Sequence, residues 1–426
     1  KEYLQSFKHI DGHNALAVFT TGYNNVMVGN YTGDAITTGE SNTALGYAAL
    51  SAEDTGTRNV AIGNEALKVL NYNGAGYNVA VGHRAGYALT TGTVNTFIGA
   101  FAGGATDDGT RNVAIGYASM DNGNAGDDNI AIGYGALQDT TASGNIAIGS
   151  YAMTQHTTGV RNIVIGQTAM YNTDAGSTSL DSDDNIFIGY NSGGGTWANA
   201  KSEGNIAIGN YTMDSALNGA LNNIAIGWSA LSAITEGDQN TVIGYYSGLS
   251  ITTGIRNVGL GLNTLDAVTT GTRNVALGTN AGSAISTTSY NIFIGNDAGA
   301  LATGVTGAIG IGHDAIKNVT ADYNIGIGYE AGVNLTSGVG NTLLGYRAAR
   351  SATDSVASSV AIGYDAMYSN TDSQGNIAIG YFALRDSAGG SSRDYNVAIG
   401  YAAMRNATPH ISIAIGANAG QLLKNG

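Results

Sequence analysis

The ten residues RNVAIGYASM, Arg111 to Met120, return almost unchanged as RNVAIGNEAL at Arg58 to Leu67, and the phrase they share decides the fold. With its Asn numbered position 1 and its Gly position 5, the phrase recurs 23 times between Gly29 and Gly416. Thirteen of the 22 intervals are 17 residues, and the others run from 16 to 23. A fixed short period over nearly the whole chain marks a stacked array in which each repeat contacts only its neighbours. A worn copy precedes the array, because Gly12 is followed ten residues later by Gly22, as Gly46 is by Gly56. The organisation expected is therefore an N-terminal cap with a degenerate repeat over 1–24, a continuous array over 25–420 without an internal domain boundary, and a short C-terminal end at 421–426.

Each column of the array has its own chemistry. Position 4 is Ile, Leu or Val throughout, as at Ile62 and Ile115, and position 2 is Val, Ile or Thr. Two branched side chains separated by one residue describe a short β-strand with both on one face. The invariant Gly, as at Gly63, Gly116 and Gly133, ends the strand where a positive φ or a close backbone approach forbids a Cβ. Position 8 is always Ala, Ser or Thr and position 9 mostly Gly, Leu or Met, so a second short strand is expected to press closely on the first. Turns spelled TTG follow at Thr20, Thr37, Thr90, Thr157, Thr252 and Thr269. The fold class is thus all-β, a parallel β-solenoid of about 23–24 coils, and stacking at about 4.8 Å per coil gives a rod of roughly 110 Å. Position 1 is Asn in 20 copies, including Asn59, Asn112, Asn129, Asn145 and Asn162; Ala308, Ser359 and Ser412 are the exceptions. Stacked asparagines form a structural ladder that satisfies turn backbone between coils.

Composition narrows the functional classes. The 426 residues include 65 Gly, one Pro and no Cys, with 43% hydrophobic and only 11% charged residues. Recurrent apolar positions argue against a disordered chain. A net charge of −14 has the wrong sign for a nucleic-acid partner. Without cysteine there is no disulfide framework and no thiolate metal site. No apolar run approaches the roughly 20 residues of a membrane span, so membrane insertion is not expected. The start at Lys1, with neither Met nor a signal peptide, suggests a processed product or a fragment.

Position 3 bears on assembly. The column contains Ala61, Phe97, Ala114, Phe187 and Phe293, with no polar residue in any copy. With positions 2 and 4 turned inward, this column faces outward as an apolar stripe far larger than soluble monomers expose. The expectation is that identical chains bury it around a common axis, with those five residues at a trimer interface. The alternative is a wide coil that buries both strand faces within one chain.

The strings NVAIG and NIAIG, followed by small residues and a Gly turn, resemble the left-handed β-roll of the head domains of trimeric autotransporter adhesins. NTALGYAAL at Asn42 to Leu50, with TTG linking copies, is more similar still to repeats of phage tail-fibre proteins. The resemblance implies a parallel homotrimer with position 3 near the threefold axis. It also implies a location outside the cell or on a virion surface, and a host cell-surface glycan or protein as partner. The adhesin repeat is shorter than 17 residues, and neither a chaperone domain nor a stalk with an anchor is visible in the chain.

Insertions fall between position 9 and the next Asn, so recognition loops are expected along one edge at Tyr171 to Asp184, Gly194 to Gly204 and Asp386 to Tyr395. Trp197 in the second loop is a candidate sugar contact, weighed against simple folding back onto the coils. Position 6 carries an aromatic column including Tyr190, Trp228 and Tyr245, which either stacks from coil to coil or meets ligand. The arginines that precede the Asn, such as Arg111 and Arg161, belong on the outside near acidic turns. Six histidines lack metal-ligand spacing, and acid pairs such as Asp127 with Asp128 do not follow a calcium-loop pattern. No cofactor and no catalytic residue is expected. The reading is a non-enzymatic fibre, phage tail-fibre-like, with an autotransporter-type adhesin head as the alternative. A polysaccharide depolymerase is weaker, and so is an ice-binding rod, because the threonines of TTG are adjacent and point to opposite sides.

Overall fold

The structure is a computed structural model, and it describes residues 8–173, 181–198, 200–353, 356–371, 374–386, 394–407 and 410–421. The chain is an all-β parallel solenoid with a repeat of about 17 residues. Two compact units, Lys1–Leu221 and Asn222–Gly426, each contain twelve of the described strands.

The first unit opens with β1 (Lys8–Asp11), which pairs in parallel with β2 (Asn25–Val28), so the degenerate N-terminal copy forms a coil of its own. Further strands follow once per repeat to β12 (Ile206–Ile208), and the second unit runs from β13 (Ile224–Ile226) to β24 (Ile413–Ile415). Register is fixed by the columns: Thr96, Phe97 and Ile98 stand against Val113, Ala114 and Ile115. Each strand beyond β2 spans only positions 2 to 4. Gly116 ends one at φ +133, and a Cβ built there would lie 2.5 Å from the carbonyl oxygen of Gly133 in the next coil.

Among the described residues the expected second strand does not form; a turn takes its place. Positions 7 and 9 are left-handed in coil after coil, as at Ala118 (φ 53) and Met120 (φ 51), and so is the residue before the Asn, Arg111 (φ 59). Left-handed backbone costs an ordinary side chain about 1–2 kcal/mol. Hydrogen bonds between coils offset that cost: Ala118 donates its N–H back to Ala100 O at 3.0 Å, and Met120 donates forward to Ala136 O at 3.1 Å. Alternating backbone handedness thus keeps the turn in the same parallel ladder as the strand.

The direction of the strand faces is the reverse of the expectation. Position 3 points into the coil: Ala61, Phe97, Ala114, Phe187 and Phe293 are all fully buried within a single chain. They are core residues and not a trimer interface. Positions 2 and 4, including Ile62 and Ile115, point outward and are half-buried or exposed. Across the narrow interior, position 3 meets position 9, and the two columns compensate in size. Ala61 accompanies Leu67 and Ala114 accompanies Met120, whereas Phe97, Phe187 and Phe293 accompany Gly103, Gly193 and Gly299. A Cβ on Gly299 would fall 2.3 Å from the Phe293 ring. Truncating Phe293→Ala is expected to cost about 3–5 kcal/mol through the cavity it leaves. Adding Gly299→Leu should restore much of the loss by recreating the Ala–Leu pairing of other coils, and a denaturant-midpoint comparison of single and double variants would check it.

A third core column lies seven residues beyond the position-5 Gly. It holds Ile36, Leu70 and Leu89, but Glu53 and His156 take the same place and are also fully buried. The Glu53 carboxylate accepts the Gly56 N–H at 2.7 Å, yet burial pushes its pKa up to about 7. Burial likewise pushes His156 down to about 4, while its Nδ1 lies 3.0 Å from Thr173 Oγ1. A raised carboxyl pKa means that stability from neutral Glu53 is fully present below its ordinary value of 4.5 and is lost as pH rises through about 7. A depressed His156 works oppositely, losing stability as pH falls from 6.5 through about 4. Glu53→Gln should therefore remove a fall of about 3 kcal/mol between pH 4.5 and about 7. Urea midpoints measured across that range would show it, and an unchanged slope would place Glu53 in water.

Candidate functional site

The asparagine ladder is internal. Asn112 Oδ1 accepts the backbone N–H of Asn129 at 2.9 Å, while its Nδ2 donates to Gly126 O at 2.7 Å, so one side chain ties two backbone groups of the next coil. Asn129, Asn145 and Asn162 repeat the first contact, with Asn129 Oδ1 accepting from Asn145 at 3.0 Å and Asn145 Oδ1 from Asn162 at 2.9 Å. Asn59 holds only half of the arrangement: its Oδ1 accepts the Asn78 N–H at 3.2 Å, but its Nδ2 is left without an acceptor. Ser359 substitutes within the ladder: its N–H donates to Asn341 Oδ1 at 3.0 Å, and its Oγ accepts from Asn376 N at 3.2 Å. These fully buried groups are scaffold and are closed to ligand.

Trp197 is likewise closed. It is fully buried, packs edge-on against Phe187 with ring centroids 5.7 Å apart, and donates Nε1–H to Gly193 O at 3.0 Å. The loop that holds it turns inward, and the indole fills the core beside Gly193 where other coils place an aliphatic residue. It is not a sugar contact. Residues 174–180 and 387–393, from the other two expected recognition loops, lie outside the described residues, as does Asn199 of this one.

The acidic turns are paired with the arginine column. Arg111 Nε contacts Asp128 at 2.6 Å and its Nη2 contacts Asp127 at 3.3 Å, which holds the Asp128 carboxyl below its usual range. Arg161 engages Asp184 at 2.6 Å, and Lys201 engages Asp183 at 3.0 Å. Such exposed pairs contribute little individually. Among the described residues, no group of three His, Asp or Glu side chains is placed to hold a metal ion.

The outward face remains as the candidate surface. Within each unit, positions 2 and 4 form two parallel ranks of Val, Ile, Leu and Thr, flanked by column 6. Leu45 is 46% exposed and Leu344 43%. Twelve coils at about 4.8 Å make each pair of ranks on the order of 50 Å long, more apolar surface than soluble monomers commonly leave in one patch. Column 6 lines its edge, with Tyr190 at 40%, Trp228 at 43% and Tyr245 at 48% exposure. Sequence reasoning placed these three rings correctly in one column but missed that the ranks beside them face out. The compensation between positions 3 and 9 carries the missing signal. No family model matches this sequence, and no curated protein matches it.

Proposed function

We propose that this protein is a non-enzymatic structural fibre, a parallel homotrimer acting outside the cell or on a virion surface as a phage tail-fibre-like shaft or receptor-binding protein. The outward face carries the reading: ranks of branched side chains without a covering layer are removed from water when copies of the chain bury them against one another. The interface therefore moves from position 3 to positions 2 and 4, with Ile62 and Ile115 in it. Column 6 then stands at the rim of that interface, where Tyr190, Trp228 and Tyr245 are open to a host glycan or protein. Three chains present each weak contact three times, so avidity supplies the strength. The NVAIG spelling supports an autotransporter-type adhesin head by the same geometry. Native mass measurement should give three times the 43.1 kDa chain; a single-chain mass would overturn the assembly. The triple variant Tyr190→Ala, Trp228→Ala, Tyr245→Ala should retain that mass and lose adsorption to host cells. Full adsorption would remove column 6 from the function.

A further inference from the structure

In the second unit, column 6 passes through five successive tyrosines, Tyr329, Tyr346, Tyr364, Tyr381 and Tyr401. Their ring centroids are 5.3, 4.9, 5.0 and 5.5 Å apart, and their planes lie within 13, 15, 13 and 3° of parallel. Each ring is nevertheless 39–54% exposed. A ring whose two faces are taken by neighbours offers no platform to a flat ligand; it offers its edge to solvent and its carbons to the next ring. Outside this run tyrosine neighbours are mixed: Tyr117 stacks on Tyr134 at 5.4 Å and 8°, whereas Tyr134 with Tyr151 and Tyr190 with Tyr211 meet edge-on, at 73° and 77°.

We propose that this ladder is an oxidative modification site, at which neighbouring tyrosines couple to dityrosine and staple successive coils of the same chain. The co-reactant is a one-electron oxidant, such as a peroxide-driven haem enzyme. Each of two phenols loses one electron to the oxidant and its phenolic proton to water, giving two phenoxyl radicals. These join through one carbon ortho to each oxygen, forming a single C–C bond. The hydrogen on each joined carbon then returns through water to the phenolic oxygen, so the net loss is two electrons and two protons. The parallel register holds the partners side by side before oxidation, so coupling within the ladder outruns encounter between molecules. Each bond closes a loop of 17 to 20 residues and restricts the unfolded chain.

The test uses the full chain at high dilution with a photo-oxidised ruthenium tris-bipyridyl complex and persulfate, followed by tryptic mapping. The expected products join peptide 318–347 to 351–385 through Tyr346 and Tyr364, and 351–385 to 394–405 through Tyr381 and Tyr401. The double variant Tyr346→Phe, Tyr381→Phe keeps the stacked rings but leaves no two ladder tyrosines adjacent. It should lose both products while coupling of the stacked Tyr117 with Tyr134 persists, and it should retain the circular dichroism of the parent. Absence of dityrosine, products confined to other tyrosines, coupling that appears only as protein concentration rises, or an unchanged yield in the double variant would each overturn the proposal.

Discussion

Gly116→Ala should be among the most damaging single-methyl changes in this chain, lowering stability by about 4 kcal/mol or more. Two costs combine. At φ +133 the backbone occupies a region that L side chains rarely adopt, worth about 1–3 kcal/mol. The new Cβ also lies 2.5 Å from Gly133 O. That carbonyl belongs to the next coil and cannot retreat without disturbing the ladder, since Gly116 and Gly133 both donate N–H to the preceding coils at 2.8 Å. Gly144→Ala is the control: its φ is +72 and the nearest atom to an added Cβ is Arg161 Cγ at 3.9 Å. There the cost should be only about 1 kcal/mol, the usual left-handed penalty. Denaturant midpoints for the two variants check the contrast, and equal losses would show that backbone conformation alone explains the invariant glycine.

The second large effect belongs to Asn112→Ala. Alanine strands the Asn129 N–H, satisfied by the amide at 2.9 Å, and removes the 2.7 Å donor from the Gly126 carbonyl, which keeps only a 3.3 Å bond from Asn129 Nδ2. A buried orphan N–H costs about 1–3 kcal/mol and the lost bond to the carbonyl about 1 kcal/mol more, so a loss of about 2–4 kcal/mol follows. Asn112→Ser should lose less, because a hydroxyl retains the acceptor, as Ser359 does toward Asn376 at 3.2 Å. Hydrogen exchange at the Asn129 amide reads the local effect directly: protection should fall sharply in the alanine variant and partly in the serine variant. If the two variants exchange alike, the acceptor side of the ladder is energetically idle.

The repeat, the Asn ladder and the strand-ending glycine were all legible in the sequence because each is a single column with one stereochemical reason. The facing of the strand was not. Val-Ala-Ile alternates between two sides, but when both sides are apolar the alternation cannot say which is inside. The sizes could have said so. Large residues at position 3, Phe97, Phe187 and Phe293, occur where position 9 is Gly103, Gly193 and Gly299, and only columns that touch need to compensate. The turn at positions 7 and 9 was hidden for a different reason: its left-handed sites carry Glu65, Arg84, Leu67 and Met120, residues that seldom signal positive φ. Trp197 was misplaced because a tryptophan in a Gly-rich insertion looks like a surface contact, whereas here the enlarged loop supplies its own coil with a core residue.

A chain without cysteine permits a direct test of the reversed strand. Single thiols at Ala114→Cys and Ile115→Cys sit one residue apart and on opposite faces. The predicted result under oxidising conditions is that Cys at 115 links sister chains by disulfide in the native protein, while Cys at 114 stays unreactive until the chain is unfolded. Linking through position 114, with position 115 inert, would contradict both the facing of the strand and the assembly drawn from it.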